Sequence, residues 1–252
     1  MDLKTKPTII VFDEETSPQL GYYFGSIHET NILKTILYET IICISYWDSV
    51  TGKVKNLAQW DFPDWKKGVW NDKSLVKKFR EIIIRYDIIA GQNSDQFDIK
   101  LLNSRLIFHG LDPIPEVKTF DTKKIAKSKL KLPSYSLDVM ANYFGLDGKY
   151  HHSGLDMWFD SRDGVKSAQR EMVHYCNVDV MKTKEVLLKL LPFAKMSSTY
   201  LRMNEVDINC SNPLCLSKNL VKHKKRKVLN GWKWQYQCMD CGSYVTDNKI
   251  IK

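Results

Sequence analysis

No long apolar run occurs in this chain. The longest, such as Ile41–Ile44 and Ile82–Ile84, fall far short of the roughly 20 residues a membrane-spanning helix needs. No membrane partner is expected. The N-terminal stretch Met1-Asp2-Leu3-Lys4-Thr5-Lys6-Pro7 has neither an apolar segment of signal-peptide length nor a small-residue cleavage site. An intracellular, cytoplasmic protein is therefore expected. Internal repeats are missing too. At 43% hydrophobic and 27% charged residues, the composition excludes a wholly disordered or fibrous chain. The 252 residues suffice for one large domain and a small appendage, and are too few for a multi-domain polymerase.

Acidic excess is also lacking, since the formal net charge is +9. A basic balance suits a polyanionic partner such as nucleic acid. Its distribution is uneven. Asp207–Lys252 carries nine Lys and Arg against three acids, so +6 of the excess lies in the tail.

Of six cysteines, Cys43 and Cys176 stand alone in apolar or helical surroundings and read as buried thiols. The others follow a pattern. Cys210 and Cys215 are spaced C-x4-C, and Cys238 and Cys241 are spaced C-x2-C, with 22 residues between the pairs. Two close pairs around a hairpin-length gap read as a four-thiolate site for one structural Zn2+, which leaves no open position for catalysis. Two disulfides are the competing reading, which an intracellular setting disfavours. Gly242 suits the tight knuckle after the second pair.

Between the pairs lie Lys222, Lys224, Lys225, Arg226 and Lys227, then the alternating stretch Trp232-Lys233-Trp234-Gln235-Tyr236-Gln237. Alternation is the period of a strand. The basic residues are expected at a hairpin tip, where they grip phosphates. Trp232, Trp234 and Tyr236 either pack a small core or stack bases.

The larger part reads as βββαβαβα with extra helices. Strands are expected at Thr8–Phe12, Glu39–Trp47, Val54–Phe62, Asp87–Gln92 and Val117–Phe120. Helices are expected at Asp72–Tyr86, capped by Asn71 or Asp72, and at Phe97–His109, closed by Gly110. Two more follow at Ser136–Phe144 and Ser167–Leu191. The boundary with the tail falls within Met196–Asn209, which divides the chain into domains 1–200 and 207–252.

Three spaced groups carry the chemistry. Asp13 and Glu15 stand two apart at a strand end, so both side chains point to one face. Side by side they repel unless a cation neutralises them. Asp98 opens a helix after Asn93-Ser94-Asp95-Gln96-Phe97, where it could equally be an ordinary N-terminal helix acid. Tyr175 and Asp179, four apart, share one helix face.

In this order the groups resemble the DEDD superfamily of 3′–5′ exonucleases, on the ribonuclease H-like fold. Asp13 and Glu15 match its D-x-E motif; Asn93, Phe97 and Asp98 match its second. Tyr175 and Asp179 match the Y-x3-D motif of the tyrosine subfamily, which includes polymerase proofreading domains. The resemblance spans residues 8–191. The stretches Ser17–Gly25 and Ser134–Leu146 also look like free-standing bacteriophage exonucleases. The tail is outside the family pattern. His174 offers the alternative H-x4-D spacing. At 3.6 residues per turn, however, it lies about 140° around the helix from Asp179, against about 40° for Tyr175.

The resemblance implies an α/β, mixed five-stranded sheet flanked by helices, with a zinc-ribbon-like β module appended. It implies two Mg2+ or Mn2+ ions about 4 Å apart, bridged by Asp13. Glu15 and Asp179 complete the ion that activates water, Asp98 supports the second, and Tyr175 orients the nucleophile. The implied activity is metal-dependent 3′–5′ hydrolysis of single-stranded or frayed DNA ends, releasing nucleoside monophosphates. An exoribonuclease on the same scaffold, or a binding module serving a DNA polymerase or replication protein, are the alternatives. Tyr22, Tyr23 and Phe24 either stack terminal bases or anchor an insertion, and Phe97 either wedges near the terminal base or packs. Asn93 joins the substrate-contacting set. His151 and His152 read as surface histidines.

Overall fold

The computed structural model describes residues 7–23, 25, 32–146, 154–194, 208–247 and 249–251. Phe24, His151, His152 and most of the expected boundary at Met196–Asn209 lie outside them.

Strand β1 (Ile9–Thr16) is the centre of a five-stranded mixed sheet. Its apolar start is buried on both faces, which suits β-branched side chains in a doubly covered strand. It pairs antiparallel with β4 (Ile41–Asp48) and parallel with β6 (Ile88–Gly91). Outside these lie β5 (Val54–Ala58) and β7 (Lys118–Asp121), giving the order β5-β4-β1-β6-β7. The strand expected over Val54–Phe62 stops at Ala58. A short 3-10 turn, Gln59–Asp61, ends it, and the Asp61 carboxylate accepts the Ala58 N–H at 2.9 Å. A separate two-stranded ribbon, β2 (Leu20–Tyr22) with β3 (Lys34–Leu37), is inserted between β1 and β4.

Helices cover both faces. Below lie α1 (Lys73–Ile83) and α2 (Asp98–Phe108), where Ile10 and Phe12 of β1 meet Phe79, Leu102 and Leu106. Above lies the long α6 (Lys166–Lys189), with α5 (Asp156–Arg162) beside it. Its Leu187 joins Ile9, Val11, Ile88 and Ala90. The helices α3 (Thr122–Lys129) and α4 (Leu137–Tyr143) add a smaller cluster around Val186 and Leu190. The period of two along β1 thus sends Ile9, Val11, Asp13 and Glu15 toward α6. The β1–β4 register slips between Glu15 and Thr16, a bulge directly beside the acids.

Of the two cap candidates at the start of α1, only Asn71 serves through its side chain. Asn71 Oδ1 accepts the Lys73 N–H at 3.2 Å, while Asp72 turns inward and caps nothing through its side chain. Its fully buried carboxylate accepts from Ile41 N at 3.0 Å, from Arg105 Nε at 2.7 Å and Nη2 at 2.8 Å, and from His109 Nε2 at 2.6 Å. A buried guanidinium needs a buried anion, and Asp72 is that anion.

The tail forms a three-stranded sheet in the order β10-β9-β8, with β8 (Leu220–Val228), β9 (Gly231–Cys238) and β10 (Tyr244–Thr246). It docks beyond the C-terminal end of α6. Asn212 Nδ2 and Ser243 Oγ both donate to the Leu191 carbonyl, at 2.7 and 3.2 Å. Leu214 packs against the cluster of Ile9, Val11 and Leu187.

Candidate active site and four-thiol cluster

Sheet, loop and helix converge at the C-terminal end of β1. The carboxylates of Asp13 and Glu15 lie within 4.8 Å of each other and of the Cys176 thiol of α6. The Cys176 Sγ donates to the Asp13 carbonyl at 3.4 Å, tying helix to strand. The β1–β6 pairing ends at Val11 and Ala90, so the edge of β1 is open beyond that point. Asp98, at the first position of α2 and only 4% exposed, takes up this space. Its carboxylate accepts the backbone N–H groups of Glu14 and of Asp98 itself.

Gly91 permits that approach. A Cβ there would sit 2.6 Å from the Ser94 Cβ and 3.1 Å from the Phe12 carbonyl. Asp121, at the end of β7, shapes the loop before Asp98. It accepts the N–H groups of Asn93 and Asp95, at 3.1 and 3.2 Å, and caps α3 through Lys124 N at 3.0 Å. Asn93 itself adopts a positive φ of 62°, a backbone state that asparagine tolerates better than most residues.

On α6, unbroken through this stretch, Tyr175 and Asp179 hydrogen-bond to each other. His174 is exposed on another flank. Asp13 thus has Glu15 and the Cys176 thiol within 4.8 Å and feels the charges of Asp98 and Asp179, the latter bonded to Tyr175.

Electrostatics show what this meeting costs. Burial, then Asp98, Glu15 and Asp179, hold the Asp13 carboxyl well above the usual carboxylate range. Burial, Asp179 and Asp98 push Glu15 up to about 8. Burial raises Asp98 to about 7 despite its two N–H donors. The Tyr175 hydroxyl is pushed up by burial and by Asp179 and Glu15. No lysine or arginine among the described residues figures in these shifts. Carboxylates with mutual repulsion and no internal counter-charge among the described residues fit hard divalent cations, and the Cys176 thiol beside them is engaged with the Asp13 carbonyl.

Sequence reading missed three neighbours. Cys176 lies inside the Tyr175–Asp179 motif, which was the signal. Asp121 had none beyond its strand end. Glu14 points to the opposite face, with both carboxylate oxygens buried and no hydrogen-bond partner among the described residues. Burial and the surrounding acids raise its pKa well above normal.

A pH dependence follows. These carboxyls hold their protons to higher pH when folded than when unfolded. For Glu15 the window runs from 4.5 to about 8, and stability falls as pH rises through it. In chelator, the melting temperature is expected to drop between about pH 5 and pH 8. Added Mg2+ or Mn2+ restores it at the upper end, and Glu15→Gln flattens the slope. Identical profiles for wild type and Glu15→Gln in chelator would contradict this.

The residues expected to touch nucleic acid fall in three places. Tyr22 and Tyr23 are exposed beside the β2–β3 ribbon, at 64% and 55%. Phe97 is also exposed rather than packed, adjacent to Asp98. The basic run corrects the expected hairpin tip. Lys222, Lys224, Lys225, Arg226 and Lys227 line the edge strand β8 along its length, and the turn beyond holds Leu229 and Asn230. Opposite residues in an antiparallel pair share a face, so Lys225 and Lys227 stand over Trp234 and Trp232. Lys222 and Lys225 place their Nζ atoms 5.0 and 5.3 Å from the Trp234 ring centre. Trp232 is exposed and Trp234 half-buried, so these aromatics build no closed core.

The thiols of Cys210, Cys215, Cys238 and Cys241 lie within 4.8 Å of one another. Cys210 and Cys241 sulfurs are 3.4 Å apart, and those of Cys215 and Cys238 3.7 Å apart. All four cysteines are free. A tetrahedron with Zn–S bonds near 2.3 Å has edges of roughly 3.8 Å, so the cluster fits that ion. Burial pushes the Cys215 thiol up to about 11 and Cys210 further.

Residues 29–191, more than half of the chain, match the RNase H superfamily, and the protein belongs to it. It is 26% identical over 194 residues to a DNA polymerase of Methanocaldococcus jannaschii. That match covers 68% of this chain and 11% of the polymerase. The family B DNA polymerase of the hyperthermophilic archaeon Pyrobaculum calidifontis superposes with a TM-score of 0.56 at 18% identity. The superposition covers 75% of this chain and 25% of the polymerase, and shows a shared fold. Among the described residues, no helix is long and apolar enough to cross a membrane.

Proposed function

We propose that this protein is a metal-dependent 3′–5′ exonuclease of the DEDD tyrosine subfamily that trims single-stranded or frayed DNA ends. The adjacent carboxylates of Asp13 and Glu15, with Asp98 and Asp179 near enough to hold the Asp13 proton and Tyr175 hydrogen-bonded to Asp179, support this reading. Two Mg2+ or Mn2+ ions held by the four carboxylates would polarise the scissile phosphate and lower the pKa of water. Tyr175, held by Asp179, orients the attacking water by a hydrogen bond. The water oxygen forms a bond to phosphorus as the bond to the 3′ oxygen breaks, and that oxygen gains the proton. A nucleoside 5′-monophosphate leaves. Phe97, Tyr22 and Tyr23 offer ring faces to terminal bases, and the Asn93 turn fixes the loop between them.

Two units divide the work: an exonuclease domain over 1–200 and a basic zinc-ribbon-like module over 207–252. Leu191, the module's anchor, is 12 residues beyond Asp179, or about 18 Å along a helical path. Lys222, Lys224, Lys225, Arg226 and Lys227 therefore grip phosphates upstream of the 3′ end. The purified protein should contain one zinc per chain by elemental analysis. Cys238→Ser should lower that content and the tetrahedral thiolate absorption of the cobalt-substituted form. Full zinc in the variant argues against the four-thiolate site.

The direct test is a time course on 5′-labelled single-stranded DNA and RNA with Mg2+, Mn2+ or chelator. A DNA ladder shrinking from the 3′ end, abolished by chelator, supports the proposal. Preference for RNA keeps the site and changes the substrate. Binding without digestion in every condition overturns it.

A further inference from the structure

A second cleft lies on the far flank of α6 from the acids, with a volume of about 420 Å³. Trp60, in the 3-10 turn after β5, forms one wall. Lys166, Arg170, His174 and Asn177 of α6 form the other. No acid is among its described lining residues. Lys166, Arg170 and His174 recur every four residues, a ladder with a rise of about 6 Å per rung. Arg170 and His174 are exposed, and Lys166 reaches Gln169 Oε1 at 3.0 Å. Two cations one helical turn apart, with an imidazole a turn further on and an aromatic wall opposite, suit a strand carrying phosphates and stacking bases.

The cleft is separate from the active site. At 100° per residue, Arg170 is about 140° around α6 from Tyr175 and about 180° from Asp179. A strand whose 3′ end lies among the acids reaches the cleft by crossing the solvent-facing crest of α6 near His174, a path of about half the helix circumference, roughly 16–19 Å. We infer that this cleft holds the phosphodiester backbone of the same single strand a few nucleotides upstream of the cleaved end. The assignment of upstream position rests on the exonuclease reading; the cleft as a nucleic-acid site does not.

The test is binding, free of turnover. In the Asp13→Ala background, fluorescence anisotropy of 5′-labelled oligothymidylates is measured against salt concentration. Each lost phosphate contact on a single strand reduces the log–log salt slope by about 0.7. Arg170→Ala should reduce it by about 0.7 and the Lys166→Ala, Arg170→Ala double variant by about 1.4. Lys77→Ala, an exposed charge on α1 across the sheet, removes the same charge and should leave the slope unchanged. The deficit should grow from a dinucleotide to longer oligomers. Equal slopes for the Arg170 and Lys77 variants overturn the cleft. An Arg170 deficit already complete on a dinucleotide overturns its upstream position. A wild type that fails to digest any 3′ end, yet loses slope with Arg170→Ala, defeats the exonuclease reading and leaves the cleft standing.

Discussion

Asp13→Ala is expected to lower kcat/KM for 3′-end hydrolysis by about a thousandfold or more, with the fold intact. Asp13 is the carboxyl on which Asp98, Glu15 and Asp179 all press. It therefore sits where charge from β1, α2 and α6 overlaps, and a cation shared by the site has to meet it. The same substitution removes a source of repulsion. In chelator at a pH above the raised Glu15 value, the variant should melt at a higher temperature than wild type. Activity and stability thus move in opposite directions, which unfolding cannot mimic. The measurements are initial rates on a 5′-labelled oligonucleotide and melting curves with and without divalent cation. Activity within tenfold of wild type would sink the assignment.

The parts of this site visible in the sequence are those set by local period. Asp13 and Glu15 follow an apolar run that can only be a covered strand, and alternation puts both on one face. Tyr175 rather than His174 meets Asp179 because α6 runs without a break through both, so 100° per residue decides which side chain faces it. The β2–β3 ribbon was not legible, because its strands have three and four residues and mostly exposed side chains. The basic run was seen but misplaced. A turn rich in lysine and an edge strand rich in lysine share one composition, and only the pairing of Lys222–Val228 with β9 separates them. Asn71 and Asp72 were both candidate caps because a helix starts after them, and it is Asn71 whose side chain accepts from the first turn. Asp72 has its true partners, Arg105 and His109, 33 and 37 residues away, beyond the reach of any local pattern.

That long-range choice gives the second large effect. Asp72→Ala is expected to destabilise the chain by about 3–5 kcal/mol. The Arg105 side chain is 7% exposed, so its guanidinium would lose both carboxylate bonds with little water to replace them. Ile41 N–H and His109 would lose the same acceptor. Denaturant titration measures the loss. A change under 1 kcal/mol would mean that the buried network relaxes to other partners. Asp72→Leu combined with Arg105→Leu should recover much of the deficit, since an apolar pair carries no desolvation penalty. The substitution also reaches the chemistry. Arg105 and His109 stand at the C-terminal end of α2, and Asp98 opens the same helix. Asp72 thus pins α2 to the first residue of β4 through Ile41, and so holds Asp98 at the open edge of β1. In the fraction that remains folded, the activity of Asp72→Ala should fall below wild type, whereas the apolar pair, which packs α2 without that directional bond, should regain stability more fully than rate.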